Sequence, residues 1–173
     1  LFEQIRAVTT LDERGLRIRD LLASRGPHRL EGSLEFPRSL QSCTVTLDSS
    51  FPLPDVLPLL GQKAMDIIRP IRFQGATEFS ASGFLDFSGE HRHRFSGEAD
   101  LKDVVLNWIM FNRLAGSFAI NGQQLDLPDI DGKLVEGGLT GELRLRELFE
   151  PTARFETNVV VRDVDLFELI TTA

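Results

Sequence analysis

The chain has 173 residues, which suits one domain or a piece of a longer repetitive protein, and its composition is that of a globular protein. Its formal charge is −7, and it lacks the basic footprint that nucleic-acid binding requires. No apolar run reaches the roughly 20 residues that span a bilayer, and no signal peptide is visible, so we expect any membrane anchor to lie outside this segment.

The first 52 residues are predicted to form strands only, because apolar and polar residues alternate between short groups of turn-forming residues. Cys43 alternates with Val45 and Leu47 on one face of the fourth strand, which predicts a buried, unreactive thiol. It is the single cysteine of the chain, so no internal disulfide can form. The predicted strands are 4–11, 16–23, 28–36 and 40–49.

Residues 53–70 are predicted to form an amphipathic helix. Their apolar residues recur in steps of three and four, from Val56 and Leu60 to Ala64 and Ile67. Pro70 ends this pattern. We expect the helix to pack at an end or edge of a sheet and to protect that edge.

Residues 71–163 are predicted to form an antiparallel meander, and 164–173 could begin a second helix. Asn121-Gly122 is a strong hairpin signal. Together the chain is predicted to be one β-rich segment of a longer protein. The predicted strands of the meander are 72–80, 83–88, 94–101, 104–110, 113–120, 123–128, 132–136, 139–147 and 152–163.

A glycine followed by alternating apolar residues occurs seven times along the chain. Since a strand shows its side chains to opposite faces with period two, most copies place the glycine and its apolar residues on one face. Acidic residues such as Glu35, Glu78 and Asp86 fall on the other face. We expect each glycine early in its strand, at a turn or bulge. The copies begin at Gly32, Gly75, Gly83, Gly97, Gly116, Gly132 and Gly141.

The remaining polar clusters predict no catalytic or metal site. His91 and His93 are two imidazoles without a third ligand, which favours an exposed hairpin tip. Asp126, Asp129 and Asp131 lack the spacing of an EF-hand loop, which favours a solvated turn. The apolar run 108–111 is either a strand buried on both faces or a lip that touches lipid. We therefore predict a protein that is not an enzyme and needs no cofactor.

Three stretches, 83–120, 125–145 and 159–170, resemble a known family. The order of their elements is similar to that in the C-terminal region of AsmA-like proteins. An apolar strand comes first, followed by Gly137-Gly138, a glycine-led strand from Gly141, a further strand, and Val164-Asp165-Leu166. These bacterial envelope proteins are related to TamB and are grouped with bridge-like lipid carriers. The resemblance covers roughly the whole segment, and most clearly 75–170.

The resemblance implies a long antiparallel sheet curled into a groove or half-barrel with an apolar lining. It implies a periplasmic location behind an inner-membrane anchor outside this chain, and phospholipid as the partner during transport toward the outer membrane. The alternative is a structural or adhesive β-domain whose apolar face is closed by a second sheet, with no cargo. The lipid-contacting candidates are Leu34, Phe36, Leu85, Phe87, Phe118, Ile120, Leu143 and Leu145.

Overall fold

The computed structural model describes residues 2–52, 55, 71–90, 92–106, 109–134, 137–147 and 154–163, and its secondary-structure elements are all β-strands. They form one antiparallel sheet that does not close on itself. The predicted mainly β fold with a single antiparallel sheet is therefore confirmed. The strands are β1 (Gln4–Asp12), β2 (Gly15–Arg25), β3 (His28–Pro37), β4 (Ser42–Ser49), β5 (Ile71–Phe73), β6 (Thr77–Asp86), β7 (Arg94–Leu106), β8 (Ile109–Asn121), β9 (Gln124–Lys133), β10 (Gly138–Arg146) and β11 (Arg154–Arg162).

The two predicted helices, 53–70 and 164–173, lie outside the described residues, apart from Asp55. The Asp55 carboxylate accepts a hydrogen bond from the Arg25 guanidinium at the end of β2. The chain that leaves β4 therefore passes close to the β2–β3 hairpin.

The sheet is a meander in which each strand pairs with the next, in the order β1-β2-β3-β4-β6-β7-β8-β9-β10-β11. Strand β5 lies in line with β6, because both pair with β7. Two backbone bonds bridge the gap between them: Gln74 donates to the Asp103 carbonyl at 3.0 Å, and Lys102 donates to the Ala76 carbonyl at 2.9 Å. The sheet is therefore ten strands wide, and β5 and β6 together occupy the position of one interrupted strand.

The four predicted strands of residues 4–49 match the structure to within two residues, but several boundaries in the meander are wrong. The predicted strand start at Gly83 lies inside β6, and Gly97 and Gly116 lie inside β7 and β8 with strand on both sides. A Cβ at Gly97 would lie 2.0 Å from the Ser80 carbonyl oxygen. The glycines mark a close approach of the neighbouring strand's backbone.

The predicted turn through Asp126, Asp129 and Asp131 is also wrong, because all three lie within β9. The pairings of β9 with β8 and with β10 both shift register by one residue at the same place. This shift indicates a bulge next to Pro128, where a missing backbone N–H costs least. The sequence signal of a turn was in fact the signal of a bulge.

The register gives the sheet two distinct faces, since directly paired residues point to the same side. Val45 pairs with Leu34 on one side and with Gly83 on the other, so apolar residues and glycines share what we call the apolar face. Glu35 pairs with Thr44, and these belong to the polar face. The predicted separation of faces is therefore present.

The core of the described residues consists of two clusters on the apolar face. Phe51 packs with Ala23 and Leu30 near one end of β2 and β3. Val104, Phe111 and Leu134 form a second cluster on β7, β8 and the end of β9. In the apolar run 108–111, Phe111 is 4% exposed and Met110 is 43% exposed. Burial on both faces, one of the two interpretations of that run, is therefore wrong at Met110, and the other, a lip that touches lipid, stays a prediction.

Candidate functional site

The candidate site is a row of mostly apolar residues that crosses all ten strands of the path. Each member is paired across the sheet with the next, so the row runs perpendicular to the strands on the apolar face. Only Thr9 carries a hydroxyl, and no member is charged. In order, the row is Thr9, Ile18, Leu34, Val45, Gly83, Phe95, Ile120, Leu125, Leu145 and Phe155.

A second row lies beside the first and contains both large and small residues. The small residues of this row leave room for the large side chains beside them, and every residue of the row is apolar or glycine. The Phe118 ring at its end lies 5.9 Å from the ring of Phe95 in the first row. In order, the second row is Leu21, Gly32, Leu47, Ala81, Gly97 and Phe118.

The structure brings most of the predicted lipid-contacting residues onto this surface. The first row holds Leu34, Ile120 and Leu145, and the second holds Phe118. Leu143 pairs with Leu127 beside the first row.

The other three candidates lie toward one end of the strands. Phe36 pairs with Leu16, and Leu85 pairs with Cys43. Phe87 follows the last residue of β6 and is 56% exposed, so it lies beyond the sheet's ladder.

Burial differs strongly along the apolar face. Cys43 and Val45 on β4 are each 2% exposed, and Ala81 on β6 is also buried; we call these three residues the central apolar patch. On β10 and β11, Leu143 and Leu145 are half-buried, whereas Phe155 is 70% and Val161 50% exposed. We call these four residues the C-terminal apolar strip.

Burial also accounts for the chemistry of the single thiol. It raises the pKa of Cys43 above its ordinary value. The thiol is free and buried, as predicted.

Sequence reasoning missed several members of the first row. Phe95 precedes the glycine-led copy at Gly97, so a search that starts at each glycine passes over it. Leu125 lies in the predicted strand 123–128 and alternates with Leu127, but no glycine leads that strand, so a search that starts at glycines passes over it. Ile18 carries a clean alternation, yet it lacks a neighbouring glycine. Counting the alternation in both directions from each glycine would have identified Phe95.

The polar face carries cross-strand ion pairs. Arg113 on β8 holds the Asp100 carboxylate with both Nε and an Nη, at 2.9 and 2.8 Å. Arg144 on β10 donates from Nε to Asp126 at 2.7 Å. These hydrogen bonds hold the pKa values of Asp100 and Asp126 below the ordinary value. The face is therefore built to stay hydrated and charge-paired.

The polar face also has a shallow depression of about 680 Å³ over β3 to β9. Acidic side chains, among them Glu78 and Glu98, line it together with Arg29 and Arg113. A twisted sheet is saddle-shaped, so each face is concave along one diagonal. Phe79, Ala99 and Ala115 also line the depression, between these charged side chains.

Polar residues in and next to the β6–β7 loop have structural roles. Asp86 closes the β6–β7 loop: its carboxylate accepts from the Ser88 hydroxyl, the Arg92 backbone and the Ser88 backbone, which holds its pKa far below the ordinary value. His93 Nδ1 accepts from the Asp86 backbone, while His91 lies outside the described residues. In the described ranges no group of three His, Cys, Asp or Glu side chains could hold a metal ion.

Within the part of the chain that the structure describes, no helix has the length and apolar character to cross a membrane. Comparison of the chain with protein-family models, with curated proteins and with solved structures gives no match. The resemblance to AsmA-like proteins therefore remains a prediction from sequence.

Proposed function

We propose that this chain is a lipid-holding or lipid-conducting segment, in which the apolar face of the sheet shields phospholipid acyl chains. The observation that carries the proposal is the first row, which crosses ten strands without a charged residue. A protein that needed only a core would have to cover this whole row. The half-buried and exposed state of the C-terminal apolar strip is consistent with a surface that receives cargo.

The proposed mechanism follows from the uniformity of the row. Burying acyl chains stabilises the complex by about 0.8 kcal/mol per CH₂ group. Because neighbouring positions are chemically alike, no single position forms a deep energy minimum, and a chain can slide from strand to strand. Head groups stay in water beside the sheet. No bond is made or broken, so the proposed role is not enzymatic.

The finer architecture belongs to the same proposal. We infer that the sheet curls around its apolar face into a groove or half-barrel. Interior glycines such as Gly97 support this, because they let neighbouring backbones approach closely where a sheet bends. On the resemblance to AsmA-like proteins, the groove would act in the periplasm, between an inner-membrane anchor outside this chain and the outer membrane.

A structural or adhesive β-domain is the second candidate, and one observation favours it. The near-complete burial of Cys43 and Val45 is typical of a closed core rather than an open wall. If the whole apolar face were covered in this way, no cargo could enter. The two candidates therefore differ in what contacts the apolar face of β8 and β10: phospholipid in the first, and protein in the second.

The first experiment asks whether phospholipid contacts the apolar face. The chain purified from cells is analysed by native mass spectrometry, and photo-crosslinking residues are placed at Phe118 and Leu145. We expect a phospholipid mass and crosslinks to lipid at both positions. The same crosslinker at Ser96, exposed on the polar face of β7, is the control and should capture no lipid. A folded, lipid-free chain without such crosslinks would favour the structural domain.

A second experiment uses two adjacent residues of β10. Leu143→Asn places an amide on the apolar face, and Glu142→Asn places the same amide on the polar face, where Glu142 is exposed. We expect phospholipid occupancy to fall in Leu143→Asn and to be unchanged in Glu142→Asn, with both chains folded by circular dichroism. Equal occupancy in the two variants would contradict a lipid-facing role for Leu143.

A further inference from the structure

In the part of the chain that the structure describes, the sheet has two free edges, β1 and β11, and neither strand carries the proline or lysine that usually protects an edge. Among the described residues, nothing pairs with the outer side of β1 or of β11. Strand β11 pairs with β10 over nine residues without a bulge. The pairing of β1 with β2 shifts register between Arg6 and Val8, but the extra residue at this irregularity belongs to β2, so β1 itself continues without an insertion. Soluble proteins usually blunt such edges with lysine, proline, bulges or very short strands.

Apolar side chains stand exposed along both edges. On β1, Ile5 and Leu11 of the apolar face are mostly exposed, and on β11 so is Phe155. Among the described strands, each of these side chains has a neighbouring strand on its inner side only. A further strand beside it would supply the missing neighbour and extend the rows of the apolar face.

The strand count makes the two edges complementary. The path contains ten strands, each antiparallel to the next, so its first strand β1 and its last strand β11 run in opposite directions. A second copy placed beside β11 in the same orientation therefore presents a β1 that is antiparallel to it. With an odd number of strands, this continuation would have required a parallel pair.

The two edges also match in length and in sequence. Both strands have nine residues. In full overlap, Leu11 faces Phe155 and Ile5 faces Val161 on the apolar face, while Asp12 faces Arg154 on the polar face. No like charges meet in this register. Pairing two copies of β11 in full overlap would instead place Arg154 against Arg162 twice, which is destabilising.

The two described edge strands agree in parity, length and side-chain match, and neither contains proline or lysine. We propose that the occupant of these edges is a second copy of this chain. Copies add head to tail, β11 of one against β1 of the next, and the apolar rows continue across the junction. Such a heterologous contact does not close on itself, so assemblies grow with concentration. The inference is independent of whether the apolar face carries lipid.

The test is a complementation experiment with one blocked edge per chain. Val159→Lys places a charge on the apolar face of β11, and Thr9→Lys does the same on β1; an inward-pointing charge at an edge blocks pairing. Sedimentation velocity over a wide concentration range should show growing assemblies for the unmodified chain and a monomer for each variant alone. An equimolar mixture of the two variants should form a dimer and nothing larger, because one β11–β1 junction remains.

Other outcomes overturn the proposal. A monomeric unmodified chain would show that the edges do not pair. If Thr9→Lys dimerises alone, the contact is β11 with β11; if Val159→Lys dimerises alone, it is β1 with β1. If the unmodified chain assembles and both variants assemble equally well, the contact lies elsewhere on the molecule. Should circular dichroism show that a variant is unfolded, another variant of the same strand takes its place: Val161→Lys, at a position more exposed than Val159, or Leu11→Lys, at a residue that is 78% exposed.

Discussion

Two regions of one face are built from the same kind of residue and yet differ in burial. Val45, in the central apolar patch, and Leu145, in the C-terminal apolar strip, belong to the same row of the sheet. Val45 is 2% exposed, whereas Leu145 is half-buried and its neighbour Phe155 is 70% exposed. Alternation therefore assigns a residue to a face, but it does not determine whether that face is covered.

The largest predicted effect tests this difference with one substitution at two places in the row. Val45→Asp would bury an unpaired carboxylate between Leu34 and Gly83, at a cost of several kcal/mol against a typical stability of about 5–15 kcal/mol. We expect this variant not to fold. Leu145→Asp keeps its carboxylate partly hydrated and should cost about 1–2 kcal/mol. Urea unfolding followed by circular dichroism measures both.

The control for this pair is Thr46→Asp, on the polar face of β4. Thr46 is exposed and pairs with Ser33 and Ser82, so a new carboxylate has no like charge directly opposite it. Its free energy of unfolding should stay within about 0.5 kcal/mol of the original. Equal losses in Val45→Asp and Leu145→Asp would abolish the distinction between the two regions.

A smaller effect is expected from two glycines, Gly97 on β7, which pairs with Ala81 of the central apolar patch, and Gly138 on β10. A methyl group at Gly97 would lie 2.0 Å from the Ser80 carbonyl oxygen and 2.8 Å from the Ala81 Cα, so the backbone of β6 must move. Gly97→Ala should lower the free energy of unfolding by about 1–3 kcal/mol. At Gly138, on β10, the nearest atom is 3.4 Å away.

Gly138→Ala is therefore the matched control for Gly97→Ala, and its thermal midpoint should change little. Thermal unfolding of the two variants side by side measures the difference. A harmless Gly97→Ala would show that β6 and β7 do not approach as closely as described. It would also weaken the inferred curling of the sheet.

The smallest effect concerns the polar side of the C-terminal region. Hydrogen bonding by Arg144 holds the pKa of Asp126 below the ordinary 3.8, so the pair stabilises the fold above that pH and the contribution is lost as pH falls below it. Arg144→Gln should lower the free energy of unfolding at pH 7 by about 0.2–1 kcal/mol, as for a surface ion pair.

The pH dependence provides the check on that prediction. Because Asp126 is protonated in both states at sufficiently low pH, the difference between Arg144→Gln and the unmodified chain should shrink as pH falls through 3.8 and below. Urea unfolding at several pH values follows it. A difference that grows toward acid pH would contradict the assigned partner.

Local sequence predicted the first four strands well, because Gly26-Pro27, Pro37 and similar turn residues separate clean alternations. It failed where one residue type serves two purposes. Gly83 and Gly97 signal a turn as readily as a close approach of two strands, and Pro128 signals a strand end as readily as a bulge. Only the pairing of β9 with both neighbours distinguishes the two readings.

The amino-acid sequence by itself determined the mainly β class and the division of each strand into an apolar and a polar side, because side-chain direction alternates with period two whatever the strand's partners. The tertiary structure alone decided which residues form one row, and which parts of that row are covered. Register depends on bulges at places such as Pro128, and burial depends on atoms far away in the chain. Neither is encoded in the local pattern that identifies a strand.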